Sequence, residues 1–222
     1  MKVVASWSGG KDSCLACYRA IQQGHDVVSL VNLLQEEGRR TVGHLLDAGL
    51  INLQSHLSGI PLLQRSVSLD TIQAEFKGVL EEAKQVGARG CVFGDIALRA
   101  HRDWAEMMCH HADIEPVFPL WEMDRAAIMD EFLKAGFEAV VVATKGRIMG
   151  PEWLGRNINR QFLDDVLELQ KTTPVDLCGE GGEYHSMVTA GPLFTQRIKV
   201  TLAQPVLRDE HWFADILGYD IE

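Results

Sequence analysis

A short apolar run, Val3-Val4-Ala5, stops at Ser8-Gly9-Gly10-Lys11-Asp12-Ser13, and Leu15, Ala16, Tyr18 and Ile21 then recur at helical spacing. The pattern predicts strand, tight loop, helix. Residues 26–34 (DVVSLVNLL) are dense in branched apolar side chains and predict a buried parallel strand. Beyond the polar turn at 36–40, the pattern predicts a helix over 44–57 interrupted at Gly49, then a strand near 62–66. A helix capped by Asp70 runs to about Gln85, and a strand over 89–95 carries Gly94 at its carboxyl end. A helix near 99–111 and a strand near 115–118 complete the series. Strands alternating with helices imply right-handed βαβ crossovers, hence a Rossmann-like α/β fold with a parallel sheet of about five strands. Ligands in such folds sit at the carboxyl ends of the strands, where strand order reverses. The 8–13 loop and Gly94-Asp95 both belong to that edge.

From Pro119 the rhythm changes. A helix over 124–135, a strand over 139–143 and a helix over 159–170 lead into a glycine-rich knot and paired strands, with the alternation of an antiparallel strand over 194–202. The expected division is therefore residues 1–119 as a nucleotide-binding domain and residues 120–222 as a smaller α+β substrate-binding domain. No internal repeat or low-complexity segment is visible, which argues against solenoids and disorder.

Composition narrows the function classes. The 222 residues are 46% hydrophobic and 23% charged, as in a soluble globular protein, and the formal net charge is -10. A general nucleic-acid binder carries a basic stripe, so this balance argues against tRNA as the main partner. Five cysteines, an odd number with no paired spacing, fit a reducing cytoplasm. Cys14 and Cys17 have the spacing of a redox or zinc pair, but no second Cys/His pair completes a ligand set, and both read as small apolar helix residues. No apolar run reaches the ~20 residues of a membrane-spanning helix, and no leader precedes the first strand. Assembly as a homo-oligomer is compatible with the chain.

Glycines at 9 and 10 let the backbone approach a ligand, so that successive N–H groups converge on an anion at the positive end of the following helix. The loop lacks the spacing of a Walker A motif. In residue order it resembles the SGGxDS loop of the ATP pyrophosphatases, the PP-loop enzymes of the HUP type, which cleave ATP between its α and β phosphates. On that resemblance Ser8, Gly9, Gly10, Lys11, Asp12 and Ser13 bind ATP. Lys11 neutralises phosphate charge, Ser8 and Ser13 donate hydrogen bonds, and Asp12 holds Mg²⁺ on the leaving pyrophosphate. Asp95, after Gly94, either completes the Mg²⁺ site or touches the ribose; the bland alternative is a helix cap.

The second concentrated signal is Cys178-Gly-Glu-Gly-Gly-Glu-Tyr-His185, where three glycines bring the backbone near a ligand that Glu180, Glu183 and His185 can face. A tight turn with solvated glutamates accounts for the stretch equally well. The motifs Ser8 to Ser13, Gly94-Asp95, Pro119-Leu120-Trp121, Trp153-Leu154-Gly155-Arg156, Gly179 to Ser186 and Gly191-Pro192-Leu193-Phe194 occur in the order seen in the diphthine-ammonia ligase family, which the chain resembles over nearly its whole length. The resemblance implies an AMP-forming amide ligase that adenylates a carboxylate and amidates it with ammonium, the acceptor in the family being diphthine on elongation factor 2. Under it Lys11, Asp12, Glu180, Glu183 and His185 are the expected catalytic residues. Glu180 and Glu183 attract NH₄⁺ and, with His185, take its proton, because only neutral NH₃ attacks an acyl-adenylate. Arg102 or Arg156 supplies further positive charge or is plain surface. Trp121 and Trp153 are expected to pack between the two domains rather than to stack on a substrate, and His101, His110 and His111 to form a helix face without binding metal. The family's aromatic stretch before Thr41-Val42-Gly43-His44 is Glu37-Gly38-Arg39 here, and its acid before Gly191 is Ala190, so the resemblance leaves the acceptor open. The alternatives are a PP-loop enzyme acting on tRNA or another metabolite, and a sensor of the universal-stress type that binds ATP without turnover.

Overall fold

The computed structural model describes residues 1–222, which divide into two compact units, 1–122 and 123–222. In the first unit the order is β1 (Lys2–Ser6), α1 (Lys11–Gln22), β2 (Asp26–Gln35), α2 (Ala48–Ser58), β3 (Leu62–Val67), α3 (Ile72–Gln85), β4 (Gly90–Val92), α4 (Arg99–Ala112) and β5 (Glu115–Val117). All neighbouring strands pair in parallel in the order β3-β2-β1-β4-β5. Chain order reverses between β1 and β4, so the crevice that such sheets use for ligands opens beyond the carboxyl ends of these two strands. The sequence-based expectation of five parallel strands is met.

Packing explains the alternation. Val4, Cys91 and Phe93 from the sheet join Phe76, Val79 and Leu80 of α3 and Ala105, Met108 and Cys109 of α4 in one apolar cluster. Phe76 anchors it, with ring centroids 5.0 Å from Trp104 and 6.2 Å from Phe93. Successive strand residues face opposite ways, so Val3 and Ala5, also buried, serve the other face of β1.

In the first unit three expectations need correction. The helix expected over 44–57 starts only at Ala48, because residues 41–46 close into a loop around the buried Thr41. Its N–H donates to the Leu46 carbonyl at 2.8 Å and its hydroxyl accepts from the Leu46 N–H at 3.1 Å. Gly49 then sits in the first helical turn, donating to the Asp47 cap at 2.8 Å, and interrupts nothing. Asp70 does not cap α3, whose N-cap is Thr71, and the Thr71 hydroxyl is turned back to accept from Ser68 N–H at 2.9 Å. The strand at 89–95 is shorter than expected: regular pairing ends at Val92, leaving Gly94 and Asp95 beyond it as part of the crevice edge.

The second unit contains α5 (Arg125–Lys134), β6 (Glu138–Lys145), a 3-10 turn (Pro151–Trp153), α6 (Arg160–Leu169), β7 (Tyr184–Ala190), β8 (Ile198–Arg208) and β9 (His211–Ile221). Its antiparallel sheet runs β7-β6-β9-β8. Both helices start at the positions the sequence predicted, with Asp124 and Asn159 as the N-caps: the Asp124 side chain accepts from Ala127 N–H at 2.9 Å and Asn159 from Phe162 N–H at 3.0 Å. The strand expected over 194–202 instead starts at Ile198, where the Arg197–Glu222 backbone pair opens a long hairpin. No helix is long and apolar enough to cross a membrane.

All five cysteines are buried free thiols. Burial pushes the Cys14 and Cys91 thiols well up and that of Cys17 to about 12. At pH 8 the thiolate fraction at Cys17 is on the order of a thousandfold below that of an unfolded chain. Iodoacetamide labelling at pH 8 is therefore expected to be slow in the native protein and fast in urea. Equal native and denatured rates at Cys14 and Cys17 would restore the reading of the two as a working redox or metal pair.

Candidate functional site

The 8–13 loop connects β1 to α1, and α1 begins at Lys11, so Lys11, Asp12 and Ser13 form its first turn and Gly10 is the N-cap. The first N–H groups of a helix have no intrahelical acceptor, and glycine brings no side chain to cover them. The end of α1 thus stays open to an anion. Gly9 has φ +78°, and a Cβ there would lie 2.5 Å from Gln54 Oε1 and 2.6 Å from Ile51 Cδ1. Glycine is needed on both counts. The hydroxyls of Ser8 and Ser13 are 3.1 Å apart, Ser13 donates to the Gly10 carbonyl at 3.0 Å, and Ser8 accepts from Gly10 N–H at 3.3 Å. Lys11 is only 3% exposed, with its Nζ 2.7 Å from Asp12 Oδ2.

Sequence reasoning missed the residues that hold this loop. Gln54 of α2 is fully buried. It accepts from the Trp7 indole at 3.0 Å and donates to the Gly9 carbonyl at 3.0 Å. Asn32 of β2 donates to the Trp7 carbonyl at 2.8 Å and accepts from Gln64 at 3.2 Å. Asn32 inside the apolar run of β2 was the available signal; buried amides need partners, and here the partner is the loop backbone.

Gly94 and the loop are adjacent. A Cβ on Gly94 would stand 2.9 Å from both Asp12 C and Ser13 N, so β4 can end against the first turn of α1 only through a glycine. Asp95 follows directly, its Oδ1 3.2 Å from His101 Nδ1. No group of three or more His, Cys, Asp or Glu side chains is arranged to hold a metal. Asp12 and Asp95 therefore suit Mg²⁺ only in its usual nucleotide-bound manner, with one or two carboxylates added to phosphate oxygens and water.

In the second unit the glycine knot is built around Asp176, which the sequence reading did not single out. Its Oδ1 accepts from Cys178 N–H at 2.8 Å and Glu180 N–H at 3.5 Å, and its Oδ2 from Arg125 Nε at 3.0 Å. Its own N–H donates to Glu183 Oε1 at 3.0 Å. Glu183 is 8% exposed and its other oxygen is buried with no hydrogen-bond partner. Burial works against the Arg125 charge, but the hydrogen bond and charge of Asp176, with Cys178 and Glu180, leave its pKa above the usual value. Tyr184, buried and edge-on to Phe162, donates to the Leu177 carbonyl at 2.8 Å and closes the knot. Lys145 N–H pairs with the Glu183 carbonyl at 2.9 Å, extending the β6–β7 ladder. Strand parity then puts Glu183 and the half-buried His185 on one side of β7, with Tyr184 on the other.

The two arginines weighed as charge donors are locked in place. Arg102 lies over Phe118 and Trp121, 5.0 and 4.7 Å from the ring centroids, and bonds Glu106 at 2.6 Å. Arg156 lies over Trp153 at 4.4 Å and pairs with Asp165. Each guanidinium is already matched by a carboxylate and an aromatic face within its own unit; Trp121 packs edge-on to Phe118 and Trp153 edge-on to Phe162. A groove of about 400 Å³ between β6 and the β8–β9 hairpin, lined by both apolar and charged side chains, contains none of the candidate residues.

Comparison with known proteins agrees across both units. The family model described as diphthamide synthase N-terminal domain matches residues 1–116, and that of the diphthamide synthase C-terminal domain matches residues 124–222. The human diphthine--ammonia ligase is 29% identical over 242 residues, covering 97% of this chain and 89% of that protein. The zebrafish (Danio rerio) enzyme is 28% identical, covering 97% and 92%. That of Schizosaccharomyces pombe is 28% identical over 90% of this chain but only 36% of its own. A solved chain from Methanocaldococcus jannaschii, described as a predicted subunit of tRNA methyltransferase, aligns at 14% identity with a TM-score of 0.47, covering 86% of this chain and 98% of that one, a likeness too loose to carry weight.

Replacing Gly94 by Ala places a methyl group against backbone that cannot step aside. Gly94→Ala is expected to destabilise the protein by about 1–3 kcal/mol in urea unfolding and to weaken ATP binding. Gly78→Ala, in α3 with nothing within 4 Å of the added carbon, is expected to leave ATP binding unchanged and to stabilise by about 0.5–1 kcal/mol. Indistinguishable behaviour of the two variants would contradict the close approach of β4 to the loop.

Proposed function

The chain belongs to the diphthamide synthase family, and from that premise we propose that it is an ATP-dependent, AMP-forming carboxylate–ammonia ligase with diphthine on elongation factor 2 as its acceptor. The observation that carries the reading is the open amino end of α1, bounded by Gly9, Gly10 and Gly94 at the point where strand order reverses, with the buried Lys11 beside it. Backbone donors, a helix dipole and a lysine are the components a triphosphate needs.

Each group has a task. The loop N–H groups and Lys11 balance the charge that develops as the acceptor carboxylate attacks the α-phosphorus and pyrophosphate departs. Ser8 and Ser13 donate hydrogen bonds to phosphate oxygens once their mutual bond is given up. Asp12 and Asp95 would hold Mg²⁺, which would supply charge neutralisation on the leaving group. Adenylation replaces a poor leaving group, oxide, by AMP. Ammonia then attacks the acyl carbon through its lone pair, AMP leaves and the amide forms. Ammonium has no lone pair to offer, so a base must first take its proton. Glu183 with its buried open oxygen, Glu180 and His185 are assigned that work. The buried free thiols support a reducing compartment, the cytoplasm.

With ATP, ammonium and elongation factor 2 carrying diphthine, the protein is expected to release one AMP and one pyrophosphate per amide formed. Glu183→Gln keeps the shape but loses the base, and is expected to slow amide formation by about a hundredfold or more. ATP hydrolysed to ADP, or an undiminished rate in Glu183→Gln, would contradict the assignment.

A further inference from the structure

The reaction needs a receptor for ammonium, and the second unit contains a carboxylate with one oxygen engaged and the other open. Resting on the ligase reading, we propose that Arg125 and Asp176 are positioning residues that turn the glycine knot into a binding site for a small nitrogen cation, with Glu183 Oε2 as the receiving atom. Neither residue belongs to the 178–185 motif; Arg125 lies more than fifty positions upstream, in the first turn of α5.

Three observations combine. The charges do not cancel evenly: Asp176 is answered directly by Arg125 at 3.0 Å, whereas Glu183, only 8% exposed, receives one backbone N–H and nothing on Oε2. Leaving a buried carboxylate oxygen unsatisfied is costly, and a donor that arrives with positive charge relieves that cost. Next, the turn is shaped to the carboxylate. A Cβ on Gly181 would stand 2.8 Å from Glu183 Oε1 and 3.1 Å from Oε2, so the side chain lies folded against the glycine backbone and has little room to swing out. Finally, the ligand class follows from what surrounds the atom. No set of three His, Cys, Asp or Glu side chains is grouped to hold a metal ion. A single open carboxylate oxygen matches one N–H donor with positive charge better than a divalent cation requiring six oxygen ligands.

Arg125 and Asp176 act through the backbone. The Asp176 carboxylate, gripped by Arg125 on one oxygen and by Cys178 and Glu180 N–H groups on the other, fixes the peptide whose N–H holds Glu183 Oε1. That contact leaves Oε2 as the Glu183 oxygen without a partner, the atom that receives the cation. Arg125 also removes the negative charge that Asp176 would otherwise add, so the site's affinity depends on Glu183 and the neighbouring Glu180.

The test separates this inference from the function on which it rests. In wild-type protein, ammonium-dependent AMP release tests the ligase reading. In Asp176→Ala and Arg125→Met the KM for ammonium is expected to rise at least tenfold while the KM for ATP stays within about twofold, and Arg125→Lys is expected to recover part of the loss. A fall in kcat with both KM values unchanged, or an equal rise in both, would overturn the positioning role. Should the wild type show no ammonium-dependent turnover, the ligase reading fails, and binding alone decides the inference. Ammonium chloride is then expected to raise the thermal midpoint of the wild type more than tetramethylammonium chloride does, and to lose that advantage in Glu183→Gln. Equal effects of the two salts on the wild type would overturn it.

Discussion

A helix that begins immediately after a strand exposes backbone donors it cannot satisfy itself, and the N-cap of α1 brings no capping side chain to them. Three glycines at positions 9, 10 and 94 accomplish this by absence of side chain, and Gln54 and Asn32 hold the intervening backbone still. Site and core are continuous there: Trp7, whose indole is bonded by Gln54, is itself among the most deeply buried side chains. A rigid donor array costs no reorganisation when charge develops, which is what a phosphoryl-transfer site requires.

The second unit uses the opposite device. There the unsatisfied group is an acceptor, the Glu183 carboxylate, and it is kept in place by an aspartate, an arginine and a turn of glycines. One unit thus offers donors suited to a polyanion and the other an acceptor suited to a small cation.

Much of this was legible in the chain before any coordinates. The apolar runs of β1, β2 and β4 gave the parallel sheet because they are buried on both faces and so lack alternation, and Asp124 and Asn159 marked helix starts because their side chains have a local donor to accept from. The glycine loop and the 178–185 knot stood out for density of chemistry. What escaped had non-local causes. Asp70 and the 44–47 stretch looked like helix starts, but the hydroxyls of Thr71 and Thr41 bond elsewhere and move each boundary. Gln54, Asp176 and Arg125 carry no motif; their roles come from partners 45, 7 and 51 positions away.

The most direct measurement follows oxygen. If the acceptor carboxylate of diphthine is enriched in ¹⁸O and turned over with unlabelled ATP and ammonium, attack on the α-phosphorus carries one carboxylate oxygen into AMP, which should emerge heavier by a single ¹⁸O while pyrophosphate stays unlabelled. Label recovered in inorganic phosphate, or AMP with none, would contradict adenylation and with it the role given to the open end of α1.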